Sequence, residues 1–269
     1  MDRSWLRRAE LRTGLFGLYH VTEFESDLSV GYGAAKPLAA LHERLSKFST
    51  RISVDTIDDA LRGFRTFTRD QPTWSDRNNL GRIFVLERGW AYRFSVFPNG
   101  RRHISEFFGP GAICNWARLS EFVEQDNLLF KAGAEIAHLD VECLATTLAD
   151  SPVLESAFKR HEINRVMRAS QRTRAIITLP STEKILIVLL DLLDEGGAAT
   201  DRQWLSLPFT FEELADIVGI SPIHVSRVFK TLEESGEISR KGRKVRLNNR
   251  ARAIASLDYR AFFSVGDAV

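Results

Sequence analysis

The hydrophobic positions of this chain change period along its length, and each change marks a new element. Residues 1–35 mix Arg, Gly, Ser and acidic side chains without a sustained period and read as an extension, helical only near Trp5–Leu11. In PLAALHERLSKF, Leu38, Leu41, Leu45 and Phe48 recur at helical spacing, and Asp55 then stands where it would cap a shorter helix, DTIDDALRG. Between Phe64 and Ala112 the texture becomes short alternating or aromatic runs broken by turns: FRTFT, GRIFVLE, GWAYRFSVF and RRHISEFF. Pro98-Asn99-Gly100 makes a hairpin turn and Gly109-Pro110-Gly111 a second reversal. NLLFKAG and AEIAHLD continue the pattern to Asp140. Many short strands at regular spacing predict a β-sandwich or jelly roll.

Helical spacing returns in ECLATTLAD and in a long run beginning near Pro152. Along that run Ile163, Val166, Met167, Ser170 and Ile177 form one stripe, with Arg160, Glu162, Arg165, Arg168 and Arg172 on the opposite side. A long, narrow apolar stripe suits a helix that pairs with its own copy. A helix that merely covers the strand domain is the alternative. Leu179-Pro180 interrupts, Ser181 restarts, and EKILIVLLDLL is apolar nearly all round until Glu195-Gly196-Gly197. Such a helix must be buried, as the first helix of a further domain.

That domain carries the sharpest signal in the chain. Thr210 and Glu213 form a capping box ahead of an apolar face of Leu214, Ala215, Ile217 and Val218, and Gly219 ends the helix. Ser221-Pro222 starts a second helix with Val225, Val228, Phe229 and Leu232 inward. Ile223, His224, Ser226, Arg227 and Lys230 then point outward. Two short helices joined by a glycine turn, the second with a polar and basic face, predict a helix-turn-helix. After Gly236, EISRKGRKVRL alternates about a Lys241-Gly242 turn with Ile238, Val245 and Leu247 on one side. This is a β-hairpin wing whose outer side carries Arg243, Lys244 and Arg246.

At 269 residues and 44% hydrophobic content the chain can hold two ordinary domains. No run approaches the roughly 18 apolar residues of a membrane helix. The first residues lack the uninterrupted apolar segment of a signal peptide. Two cysteines, Cys114 and Cys143, make no disulfide framework, which fits a cytoplasmic protein. The net charge is only +2, but between Ser221 and Arg252 the cations Arg227, Lys230, Arg240, Lys241, Arg243, Lys244, Arg246, Arg250 and Arg252 face only Glu233, Glu234 and Glu237. That local excess attracts a polyanion.

A β-roll, a long helix and a winged helix-turn-helix, in this order, resemble the Crp/Fnr family of bacterial regulators (catabolite activator and fumarate-nitrate-reduction types). The resemblance spans Pro37 to Asp258 and is most specific in LPFTFEELADIVGISPIHVSRVFKTLEESGEI and GWAYRFSVFPNGRRHISEFFGPG. It implies an α+β chain: an extension over 1–35, a double-stranded β-helix (jelly roll) sensor over 36–150, a dimerisation helix over 151–179, a winged helix-turn-helix over 180–258, and a tail over 259–269. It also implies a homodimeric transcription factor that binds double-stranded DNA, with RNA polymerase as a further partner and a small-molecule effector that the sequence does not identify. Ser226 and Arg227 match the family's outward pair on the recognition helix. Ile223 stands where many members carry a glutamate, so a thymine methyl replaces cytosine as the expected contact. The region GPGAICNWARLSEFVEQDNLLF has neither the Gly-Glu nor the Arg-Ser or Arg-Thr pair that holds a cyclic nucleotide in related proteins, and Arg118 is its one guanidinium. Two cysteines are too few for an iron–sulfur cluster. Haem would have to use His103, His138 or Cys114, and no cofactor is assigned.

Two rival readings make different demands. A cupin-like metal enzyme needs two or three His with a carboxylate on neighbouring strands, and GRRHISEFF offers His103 and Glu106 with only distant His138. No nucleophile elbow or phosphate-binding glycine loop is present. A winged helix serving as a protein-interaction module would not need the basic wing and recognition helix.

Overall fold

The computed structural model describes residues 37–49, 55–73, 81–120, 127–197 and 204–261. The predicted extension with its Trp5–Leu11 helix, and nearly all of the tail, lie outside them. A first helix, α1 (Ala39–Ser46), buries Leu41 and Leu45 as its spacing predicts. The second predicted helix is shorter than DTIDDALRG: a 3-10 turn covers Asp55–Ala60, and Leu61 already opens β1 (Leu61–Thr66). Antiparallel pairing of β1 with the strand Glu135–Asp140 across five registered positions decides this segment, a long-range contact that local helical spacing does not encode.

The strands β2 (Gln71–Thr73), β3 (Arg82–Arg88), β4 (Ala91–Val96), β5 (Arg102–Phe108), β6 (Asn127–Phe130) and β7 (Glu135–Asp140) complete two antiparallel sheets. Their orders are β1-β7-β3 and β2-β6-β4-β5. Between them lies a core that includes Phe67, Phe84, Phe108, Phe130 and Ile136. The β4–β5 hairpin closes at Phe97–Arg101, where the Phe97 amide donates to the Arg101 carbonyl at 2.8 Å. The Gly109-Pro110-Gly111 reversal is also a point of close approach. A Cβ on Gly111, at φ +78°, would stand 2.3 Å from the Ala40 carbonyl oxygen, so no larger residue fits under α1.

Helix α2 (Val141–Asp150) is capped by Asp140, whose carboxylate accepts from the Cys143 amide. Helix α3 (Pro152–Thr178) runs 27 residues, started by Ser151 and Pro152. Helix α4 (Ser181–Glu195) is buried along most of its length, as its all-round apolar sequence requires. Then follow β8 (Leu205–Ser206), α5 (Phe211–Val218), α6 (Pro222–Glu234), β9 (Ile238–Lys241), β10 (Lys244–Leu247) and α7 (Arg250–Ser256). No helix among the described residues is long and apolar enough to cross a membrane.

Candidate nucleic-acid interface

Local chemistry builds the helix pair. Both halves of the capping box form: the Glu213 amide donates to Thr210 Oγ1, and the Thr210 amide donates to Glu213 Oε2 at 2.8 Å. Gly219 ends α5 at φ 72°, and Ser221 accepts from the His224 amide at the start of α6. Val225, Val228, Phe229 and Leu232 are buried. On the opposite face His224, Ser226, Arg227 and Lys230 are exposed, and Ile223 keeps 68% of its surface in solvent. A large aliphatic side chain so placed on a polar face has no intramolecular purpose. A helix of this length, about 20 Å, fits the major groove of duplex DNA.

The wing is a three-stranded sheet, β8-β10-β9, rather than a bare hairpin. Lys244 is exposed; Arg243 bends back and donates from Nη2 to the Leu207 carbonyl at 3.1 Å. Trp204, just before β8, escapes sequence reasoning: Lys241 and Arg246 lie over its ring at 5.0 and 5.1 Å from the centroid. Cations held on an aromatic face are pre-positioned without being neutralised. The aromatic before LSLPFT is the available signal, but nothing local ties it to the hairpin.

Not every cation of the basic stretch is available. Arg240 pairs with Glu233 at 3.5 Å and lies over the Phe211 and Phe229 rings. Arg250, partly buried, pairs with Asp194. These two belong to the fold, and the outward charge rests on the remaining residues.

Helix α3 is amphipathic with the polar side turned inward. His161, Asn164, Arg168, Gln171 and Arg172 are buried against the rest of the chain. Ile163, Val166, Met167 and Ile177 are 57%, 53%, 44% and 75% exposed, and Ser170 lies among them. The five residues of the predicted stripe therefore share one solvent-facing side.

The buried arginines face a carboxylate cluster at the end of α4. Arg168 donates from Nε to Asp191 at 2.6 Å and also pairs with Glu195; Arg172 pairs with Asp191. Arg44 of α1 reaches Glu195 at 2.8 Å, and Tyr259 donates to Asp194 at 2.6 Å. Burial alone would raise the Glu195 carboxyl, but Arg44 and Arg168 hold it down at about 2. His161, beside them, is pushed down to about 3 by burial and by Arg44, so it stays neutral. A narrow cleft lies here, lined by His161, Asn164, Arg165, Arg168, Glu106 and Glu195 among others. Arg165 is paired with Glu106 and Glu162, so the charges around the cleft are answered from within the chain. The loop that follows Gly111 is closed in the same way. Asn115 accepts from the Phe84 amide at 2.8 Å and donates to the Arg82 carbonyl, while Trp116 packs on Phe158.

The residues considered for metal or haem are not brought together. His103 lies on β5 with Nδ1 3.2 Å from the Asp216 carbonyl. His138 is buried on β7 of the other sheet, against Phe84, with both ring nitrogens lacking a hydrogen-bond partner. Burial pushes its pKa down to about 4. Glu106 is engaged by Arg165, and no group of three ligating side chains occurs among the described residues.

Residues 183–252 match the Crp-like helix-turn-helix domain. The nitrogen fixation regulation protein FixK of Azorhizobium caulinodans is 26% identical over 197 residues, covering 71% of this chain and 77% of that protein. The CRP-like protein Clp of Xanthomonas euvesicatoria is 27% identical over 174 residues, covering 61% and 75%. The structure of FixK2 from Bradyrhizobium japonicum superposes with a TM-score of 0.63 at 16% identity, over 74% of this chain and 98% of that one. The relatives are regulators rather than enzymes, and the roll, the long helix and the winged helix-turn-helix follow one another in the order they share. Residues 183–252 therefore hold a Crp-like helix-turn-helix domain, and along most of its length the chain is similar to transcriptional regulators of the Crp/Fnr type.

Proposed function

We propose that the chain acts as a homodimer that reads an inverted-repeat operator through α6, with the wing on the flanking phosphates. The observation that carries this reading is the pair of exposed faces: an unpartnered aliphatic stripe on α3 and an outward Ile223, His224, Ser226, Arg227 and Lys230 on α6. Pairing of the stripes would set two recognition helices on successive major grooves, the spacing used by helix-turn-helix dimers, about one helical turn of DNA apart. Arg227 suits guanine O6 and N7, and Ile223 a thymine methyl. RNA polymerase would be met at the promoter, in the cytoplasm.

Selection of duplexes from a random pool by the full chain provides the operator and tests the reading. On that operator Arg227→Ala weakens binding by roughly 1–3 kcal/mol and flattens preference at one base pair. Lys244→Ala weakens all duplexes alike, because a phosphate contact carries no base information. Normal specific binding by Arg227→Ala, measured by anisotropy at fixed salt, would remove α6 from the groove.

Control by a cyclic nucleotide is not part of this proposal. A ligand shifts an equilibrium only through unequal affinity for its two states. The cleft arginines already face Glu106, Asp191 and Glu195, and Asn115 and Trp116 fill the loop after Gly111. Cyclic AMP or cyclic GMP at micromolar concentration leaves operator affinity unchanged; an increase of about tenfold would reopen the loop as a phosphate cradle.

A further inference from the structure

The helix-turn-helix does not hang from the end of α3. Its core continues into the four-stranded sheet: Tyr92 and Phe94 of β4, Ile104 and Phe107 of β5 and Leu129 of β6 belong to the same buried cluster as Leu214, Ile217, Phe229 and Leu232. Phe209, on the approach to α5, is fully buried where the two parts meet, its ring 5.8 Å from Tyr92, 5.7 Å from Phe107 and 6.0 Å from Trp90. Polar contacts flank this seam at both ends of α5. Near its C-terminus Arg102 Nε donates to Asp216 Oδ2 at 2.7 Å. At its N-terminus Lys131 Nζ donates to Glu213 Oε1 at 2.7 Å, while the other oxygen of Glu213 completes the capping box. The sheet thus grips the back of α5, and the exposed face of α6 stays clear of the seam.

We propose that the β2-β6-β4-β5 sheet is a brace that holds the helix-turn-helix in its DNA-reading pose, with Arg102 and Lys131 as positioning residues. This rests on the reading of the chain as an operator-binding dimer. The dock covers the side of the unit opposite the recognition face and leaves that face free for DNA. Letting the unit swing free would return Phe209, Tyr92 and Phe107 to water, so the docked arrangement is the ground state. A unit already fixed in orientation loses less freedom when it meets the groove.

Two variants break the polar grips without changing net charge: Arg102→Gln with Asp216→Asn, and Lys131→Gln with Glu213→Gln. The second keeps a glutamine able to complete the capping box. Each is compared with wild type, as full-length protein, on the duplex that wild type selects, across a series of salt concentrations. We expect affinity to fall about five- to twentyfold when both pairs are removed, with an unchanged salt slope and non-additive effects within each pair. Tighter binding would make the contact inhibitory and overturn the proposal, as would unchanged affinity. A shallower salt slope would overturn it too, by assigning the loss to phosphate contacts. The two-residue variants carry the same comparison if the four-residue variant melts early. Wild type that selects no duplex would instead sink the operator-binding reading itself.

Discussion

Asp191→Ala lowers the stability of the chain by about 3–5 kcal/mol, as expected when one partner leaves a buried ion pair and its counter-charges stay behind. Asp191 is 2% exposed and is shared by Arg168 and Arg172, themselves buried. Its removal strands two guanidiniums in a place that water does not reach. Glu195, held ionised by Arg44 and Arg168, offsets only part of that charge. Urea denaturation at one fixed chain concentration measures the loss, since dimer formation would otherwise enter the comparison. Lys159→Gln is the control, because its pair with Glu155 lies in solvent and such pairs contribute about 0–1 kcal/mol. An Asp191→Ala protein no less stable than that control would show that the cluster is dispensable.

Met167→Glu is expected to convert the proposed dimer to monomers. Met167 lies mid-stripe, between Ile163 and Val166 on one side and Ser170 on the other, and a two-fold axis along the helix would bring each introduced carboxylate near its mate. Two like charges facing each other at an apolar seam cost several kcal/mol. The protomer should stay folded, because the side of α3 that packs on its own chain is untouched. Sedimentation gives the mass, circular dichroism the fold, and the operator assay the consequence: binding falls to that of one half-site. A variant that still sediments as a dimer would place the interface elsewhere.

Much of the fold was legible because its signals are local. The capping box at Thr210 and Glu213, the Gly219 turn, the Ser221-Pro222 restart and the strand-turn-strand runs of the roll each lie within a few residues of the structure they specify. The elements that were missed depend on distant partners. β8 has two residues and exists because Lys244 and Val245 pair with it. In the sequence α7 shows only as part of a basic stretch, although Asn249 caps it. The polar side of α3 was legible as polar but not as buried, because Arg44 and Glu195 meet across 151 residues of sequence. The same limit hid Arg240 and Arg250 among the apparent DNA-facing cations, and left Trp204 unassigned. The exposed face of α6 followed directly from helical periodicity once the buried positions Val225, Val228, Phe229 and Leu232 were known.

The inward-turned polar side of α3 reaches beyond assembly. In the proposed dimer, where a second copy covers the stripe, the reading form would be a product of two encounters, so below the dimer dissociation constant operator occupancy would grow as the square of chain concentration. A modest change in synthesis or degradation then becomes a sharper change at the promoter. A cell could set this regulator's threshold by dosage alone, with no messenger molecule to make or destroy.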